Sequence, residues 1–249
     1  MDNKQLYDAI FRRKSIRKYD MAPLPPETVA ALQQFTETLI PLDEKIKYEL
    51  TYLGTQDVKN LLPIKAPHYI CIYSEKTDKY LMNTGFLLQQ IDLYLSANGL
   101  GTCWLGLAKP SKQVPEMKNG LEFVIMIAFG NAIEPVYREH VSEFKRKPLA
   151  SMCSIQGAEE LIAPVRLAPS ASNTQPWFFS GTAEEIVVSR EKLNLIKASI
   201  YGKMNQVDIG IALFHLWLSF DQQGKSMVLD FDKTTAPDGY EFMVKVKQK

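Results

Sequence analysis

The chain reads as an α+β protein built from two half-units in one polypeptide, forming a pseudo-dimer around two central long helices flanked by antiparallel sheets. Three observations lead to this class. Two long stretches, YLMNTGFLLQQIDLYLSANG and NQVDIGIALFHLWLSFDQQG, are apolar nearly all round, as helices buried in a core or an interface are. Each carries two glycines fourteen residues apart, Gly85 and Gly99 in the first and Gly210 and Gly224 in the second; Leu88, Ile91 and Leu93 fall in step with Leu213, Leu216 and Leu218. The order of elements also recurs, since in each half a helix is followed by an extended segment, a strand, the long apolar helix and further strand. Apolar residues dominate both long helices, so this order carries the duplication more than the identities do. The division falls near residue 150, giving half-units 1–150 and 151–249.

Taken in order, Leu6, Ile10 and Phe11 set a helical spacing over residues 4 to 12, and the basic RRKSIRK follows where that helix ends. The prolines of MAPLPPETVAALQQFTETLI forbid helix until Pro26. Glu27 then lies in the first turn, and Val29, Leu32, Phe35 and Leu39 form an apolar stripe. HYICIYS and LEFVIMIAFG are β-branched and aromatic enough for buried strands, one on each side of the first long helix. The second half opens with a helix around SIQGAEELIAP, passes through the loop APSASNTQPW and the strand EEIVVS, and reaches the second long helix.

Twenty-nine Lys and Arg against 28 Asp and Glu leave a net charge of +1, so no global field draws the chain to nucleic acid or to an anionic membrane. Any bound anion must meet a local cluster. A hydrophobic content of 46% over 249 residues supports a sizeable core. Cys71, Cys103 and Cys153 are odd in number and lack metal-ligand spacing, which suits unpaired thiols in a reducing cytosol. The N-terminus mixes acids with an Arg-rich turn where a secretory signal needs an apolar core, and no apolar run reaches the roughly 18 residues of a bilayer span. The expectation is a cytoplasmic protein with neither a nucleic-acid nor a membrane partner.

Two segments offer complementary chemistry. RRKSIRK places Arg12, Arg13, Lys14, Arg17 and Lys18 around Ser15, and a phosphate monoester wants such charge-assisted, partly bidentate donors. A solvated basic turn is the plain alternative for this cluster taken alone. Lys145, Arg146 and Lys147 in FKRKPL form a second cluster able to neutralise the same dianion. In the loop, Ser170, Ser172, Asn173 and Gln175 can donate and accept along a heterocyclic edge, while Pro169 and Pro176 stiffen its ends. Gly99, Gly101 and Gly106 in NGLGTCWLG let backbone approach a flat ring. Trp177 reads as core packing, His215 as a satisfied core histidine and Asp208 as a cap ahead of the second long helix. His68 and His140 share no metal spacing with His215, so no metal site is expected.

Together RRKSIRKYD, NGLGTCWLG, FKRKPL and APSASNTQPW resemble the motifs of the nitroreductase family of FMN-dependent oxidoreductases, over most of the chain. The amide-rich loop arrives after FKRKPL, where an ordinary member would be ending. That order is similar to the single-chain, fused-dimer branch known as TM nitroreductases, and it implies a nitroreductase-like fold. By position the resemblance gives Arg13, Lys14, Ser15 and Arg17 to the flavin phosphate, ribityl and pyrimidine side, with Arg17 nearest the ring. It leaves Arg12 open as the main phosphate ligand in place of Arg13. Lys145 and Lys147 would help with the phosphate. Pro169, Ser170, Ala171 and Asn173 would line the cofactor, Gln175 would support them, and Leu105 and Gly106 would lie near the reactive edge of the ring.

The activity so implied is reduction of nitroaromatic, quinone or similar electron-poor small molecules by NAD(P)H through ping-pong hydride transfer. No side chain is assigned a catalytic role of its own; the flavin carries the hydride while Arg17 and Gly106 tune it. Because the second half lacks a basic turn and the first lacks the Ser-Asn-Gln-Pro-Trp loop, one FMN per chain is expected. The chain would then be a monomer serving as its own dimer, with further oligomerisation open. A non-enzymatic FMN-binding protein, and flavoenzymes of the same fold that dehalogenate, oxidise azolines or degrade flavin, remain as alternatives.

Overall fold

The computed structural model describes residues 2–249. Its first helix, α1 (Asn3–Ile10), is started by Asp2, whose carboxylate accepts from the Gln5 amide at 2.8 Å while the Gln5 side chain accepts from the Asp2 amide at 3.2 Å. Helix α2 (Pro26–Thr36) begins at its proline but ends before Leu39, so the apolar stripe outruns the helix and Leu39 is buried from the following loop. Next come β1 (Tyr48–Gly54), β2 (Val58–Asn60), β3 (His68–Ser74), the long α3 (Tyr80–Ala97), β4 (Gly101–Leu105), β5 (Ala108–Pro110), β6 (Met117–Lys118) and β7 (Leu121–Gly130). The remainder supplies α4 (Glu159–Arg166), β8 (Trp177–Gly181), β9 (Glu185–Glu191), α5 (Leu195–Tyr201), the long α6 (Met204–Gln222), β10 (Met227–Asp230) and β11 (Tyr240–Gln248).

One sheet runs β1-β3-β7-β4, with β6 added to β7; the other runs β8-β9-β11-β10; every neighbouring pair is antiparallel. Counted along the chain, the two sheets share one strand order, and each is interrupted by a long helix between its second and third main strands. Strands β2 and β5 form a separate ribbon. The α+β class and the antiparallel sheets are therefore as the residues imply.

The two long helices cross where the repeated glycines place them. A Cβ on Gly85 would stand 2.0 Å from the Val207 carbonyl oxygen, and one on Gly210 would stand 1.9 Å from that of Met82. Val207 and Met82 each lie three residues before the opposing glycine, so the contact is self-complementary in the manner of a twofold axis. The second glycine of each pair closes its helix. Gly99 and Gly224 take φ of 77° and 68°, and the following amides, those of Leu100 and Lys225, donate to Leu95 and Phe220 carbonyls at 2.9 and 3.0 Å. Around the crossing, Phe86 and Phe214 pack edge to face at 5.2 Å.

A relay of buried polar groups runs through this apolar interior. His215 lies between the Pro164 carbonyl at 3.0 Å and the Gln89 amide nitrogen at 3.2 Å; Gln89 donates to Asp92 at 3.1 Å, and Asp92 pairs with Arg13 at 2.8 Å. Burial drives His215 down to about 3, so the imidazole is neutral and both nitrogens are satisfied, in keeping with a core histidine. Among the described residues no helix is long and apolar enough to cross a membrane, no cluster could hold a metal ion, and all three cysteines are free.

Candidate cofactor site

The basic turn is stapled down along its length. After α1, Arg13 bridges to Tyr137, Ser15 to Thr102 and Tyr19 to Ala132, so the segment lies beside β4 as a short extra strand. Ile16 is fully buried against Gly101, where an added Cβ would come within 2.9 Å of it; the glycine there is a packing requirement. Alternation then sends Ser15 and Arg17 to the opposite side from Ile16. Both line a crevice of about 390 Å³, within the usual size of small-molecule sites.

The opposite wall is the amide-rich loop, which is wound tightly. Ser172, Asn173 and Gln175 all take positive φ, of 50°, 57° and 50°, an arrangement that non-glycine residues hold only when their surroundings over-determine it. The restraints are plain. The Gln175 amide donates to Ser170 Oγ at 2.9 Å, its side-chain nitrogen donates to the Asn173 carbonyl at 2.9 Å, and its side-chain oxygen accepts from the Lys147 amide at 2.8 Å. Asn173 accepts from Arg146 at 2.5 Å and donates to the Lys145 carbonyl at 3.0 Å. From below, Asp208 on α6 accepts from the Ala171 amide at 3.0 Å.

The crevice thus unites Ser15 and Arg17 of the basic turn, Gly106 after β4, and Pro169, Ser170 and Ala171 of the loop. Ser172, Cys103, Trp104, Tyr201, Met204 and Asp208 share its walls. Beside it, partly buried arginines stand without anions. Arg138 lies 4.2 Å and Arg146 5.6 Å from the Phe144 ring, and Arg138 donates to the Arg13 carbonyl. Burial first, and then repulsion from Arg13 and other arginines, pushes Arg146 down to about 9 and Arg138 down to about 10. Arg13 has Asp92, but among the described residues Arg12, Arg17, Arg138 and Arg146 have no carboxylate within ion-pair distance. Arg12, Arg138 and Arg146 are partly buried and Arg17 is exposed, so this group of guanidiniums could hold an anion.

Comparison with known proteins places this geometry in context. The model of the family described as "Putative TM nitroreductase" matches residues 5–220. The chain belongs to this family. A nitroreductase structure from Thermotoga maritima MSB8 superposes with a TM-score of 0.66 at 24% identity, covering 99% of this chain and 95% of that one, which establishes the shared fold. A structure of an FMN-dependent nitroreductase from Clostridium difficile R20291 aligns with 55% of this chain and 96% of its own, at 17% identity and a TM-score of 0.44. No curated protein matches the chain.

The remaining residues singled out from the sequence lie outside the crevice lining. Arg12 stacks on Tyr137 with its guanidinium 4.4 Å from the ring, and Lys14 turns away to the Pro135 carbonyl at 3.1 Å and Glu134 at 3.5 Å. Leu105 is fully buried behind Gly106. Lys145 and Lys147 clasp the loop mainly through their backbones, Lys147 also donating from Nζ to the Gln175 carbonyl at 3.2 Å. Asn173 and Gln175 use their amides to tie the loop to residues 145–147 and, through the Gln175 nitrogen, to the Asn173 carbonyl.

Asp208 is a correction. It lies inside α6, not ahead of it, and is completely buried; Oδ1 takes the Ala171 amide while Oδ2 has no partner. Burial pushes its carboxyl up to about 8, so it is predominantly neutral at pH 7. A lone acid among apolar helix residues was the signal for it. Arg146 and Arg138 also matter more than the motifs suggested: Arg146 ties Phe144, Leu167 and Asn173 together, whereas Arg138 belongs to no recognisable pattern.

Proposed function

We propose that this chain is a flavin oxidoreductase that binds one FMN in the crevice and uses NAD(P)H to reduce nitroaromatic, quinone or similar electron-poor small molecules. The observation that carries this reading is the meeting of Arg17 and Ser15 with the Pro169–Ala171 wall across one crevice, beside arginines that lack carboxylate partners. These residues suit FMN, which has a dianionic phosphate at one end and a flat polar heterocycle at the other. Bound there, FMN supplies the hydride chemistry. Arg17 would place positive charge along the heterocycle, Ser15 and the loop backbone would offer polar partners, and Arg138 and Arg146 would balance the phosphate. Apolar residues such as Ile125, Val207 and Ile211 would exclude water, and Asp208 would present a neutral carboxyl able to donate a proton at Oδ2.

The half-units 1–150 and 151–249 are read as a fused pair on the common strand order and the reciprocal glycine contact. Asn83 occupies on α3 the place that Asp208 has on α6, and it accepts from the Leu42 and Asp43 amides at 2.8 and 3.3 Å. Among the described residues no second Arg-rich turn of the RRKSIRK kind is present, which supports a single site. Absorbance of the purified protein tests the cofactor: oxidised-flavin bands at one equivalent per chain, bleached anaerobically by NADH or NADPH, are expected. Two equivalents would refute the single site, and bound flavin that neither nucleotide reduces would identify a flavin-binding protein without this activity.

A further inference from the structure

Three segments meet at the crevice mouth, and they share an unusual composition. Residues 58–65, 105–115 and 192–207 contain no Asp or Glu, although the chain carries 28 acids. Each contributes to the crevice lining, through Leu62 and Ile64, Gly106 and Leu107, and Ile200, Tyr201 and Met204 respectively. The first two are joined directly, because β2 pairs with β5 and sets Lys59 opposite Lys109.

These segments expose what soluble surfaces usually cover. Leu195 is 92% exposed, Ile196 75%, Leu61 73%, Ile200 61%, Leu107 56% and Leu62 42%. They make up half of the twelve large apolar side chains exposed among the described residues; Leu62, Leu107 and Ile200 line the crevice, and the other three are on the same segments. The same segments carry exposed lysines: Lys59 and Lys65 on the first, Lys109 and Lys112 on the second, and Lys192, Lys197 and Lys203 on the third. Among the described residues none of these lysines has a carboxylate within ion-pair distance; elsewhere Lys76, Lys118 and Lys247 are paired, while others such as Lys18, Lys45 and Lys225 are not. Helix α5, which carries Leu195, Ile196 and Ile200, lies in a connection from β9 to α6 that is longer than its counterpart from β3 to α3.

We propose that the crevice mouth docks on an anionic lipid surface, with the aliphatic side chains entering the headgroup boundary and the lysines meeting lipid phosphates. Apolar side chains alongside unpaired lysines are the composition of interfacial binders. A second copy of this chain would fit less well, since a twofold contact through this face sets lysine against lysine. The chain-wide balance of +1 hides this face, and the proposal departs from the expectation of no membrane partner that was drawn from that balance. The ligands the crevice then receives are molecules that partition into lipid. That last clause rests on the oxidoreductase reading; the docking does not.

The test is co-sedimentation of the flavin-loaded protein with vesicles of phosphatidylcholine alone, or of phosphatidylcholine containing about one third phosphatidylglycerol. Binding is expected to be about tenfold or more stronger on the anionic vesicles and to weaken with salt. Leu195→Ser combined with Ile196→Ser should abolish it; both side chains are too exposed for their loss to unfold the protein, and unchanged circular dichroism checks this. Lys197→Glu with Lys203→Glu should remove the preference for anionic lipid. Wild-type protein that stays in the supernatant with both vesicles, or sediments equally with all variants, overturns the proposal. So would a vesicle-free dimer, seen by sedimentation velocity, that the serine variant splits. Flavin content and reduction by NAD(P)H are measured separately, so a failed oxidoreductase reading is not confused with failed docking.

Discussion

Replacing Asp208 by asparagine separates what this carboxyl does for the crevice from what it does to the fold. In the folded protein the group ionises at about 8, against 3.8 for an unperturbed aspartate, because it is fully buried. The unfolded chain therefore releases this proton well below pH 7 while the folded chain keeps it. Stability falls with rising pH across the window from 3.8 to about 8, since the unfolded state binds fewer protons there. Each pH unit in the window costs about 1.4 kcal/mol, and the accumulated cost at pH 7 is about 4 kcal/mol as an upper figure. Asparagine retains an oxygen for the Ala171 amide and leaves one unpartnered polar group, as the protonated acid does, but it does not titrate. Urea unfolding of the flavin-free wild type and variant, compared between about pH 5 and pH 8, should show a gap that widens in the variant's favour by about 1 kcal/mol per unit. A gap that stays constant with pH would mean that Asp208 does not hold its proton in the folded chain, and the assigned role would fall with it.

Gly85→Ala and Gly210→Ala should each lower stability by about 1–3 kcal/mol or more, read as a shift in the denaturation midpoint, because the new Cβ meets backbone that cannot rotate away. Arg17→Ala should weaken flavin retention about tenfold or more, measured by titration of the flavin-free protein, whereas Lys14→Ala should leave it nearly unchanged because Lys14 faces Glu134. Arg146→Met should loosen the loop by leaving Asn173 and the Leu167 carbonyl without their donor; faster hydrogen exchange at residues 170–175 is expected, with little change in β7. Cys103 should resist thiol reagents in the native protein at neutral pH, since burial raises its pKa, and react on unfolding.

The long helices were legible in the sequence because their signal is redundant: apolar residues on every face, with glycines where backbones meet and where the helix stops. The strands HYICIYS and LEFVIMIAFG were legible as central strands with continuous apolar runs. Tyr48–Gly54 and Leu195–Tyr201 were not, the first because its burial is partial on both faces and the second because its aliphatic residues pack on nothing. At the crevice, Arg17, Ser15, Gly106 and Pro169–Ala171 were named through motifs that resemble the family's, each a short contiguous stretch that a single sequence displays whole. Asp208, Arg138 and Arg146 take their importance from partners far along the chain, and a single sequence records no such pairing. The amides of Asn173 and Gln175 were visible, but not that they would be consumed in shaping the loop.

The reciprocal seam at Gly85 and Gly210 makes two positions behave as one. A methyl group at either site must part the same pair of helices, and once they are parted the second methyl finds room already made. The double substitution should therefore destabilise by less than the sum of the singles. Once either glycine is lost the other is held less firmly, because the second methyl adds less cost than the first.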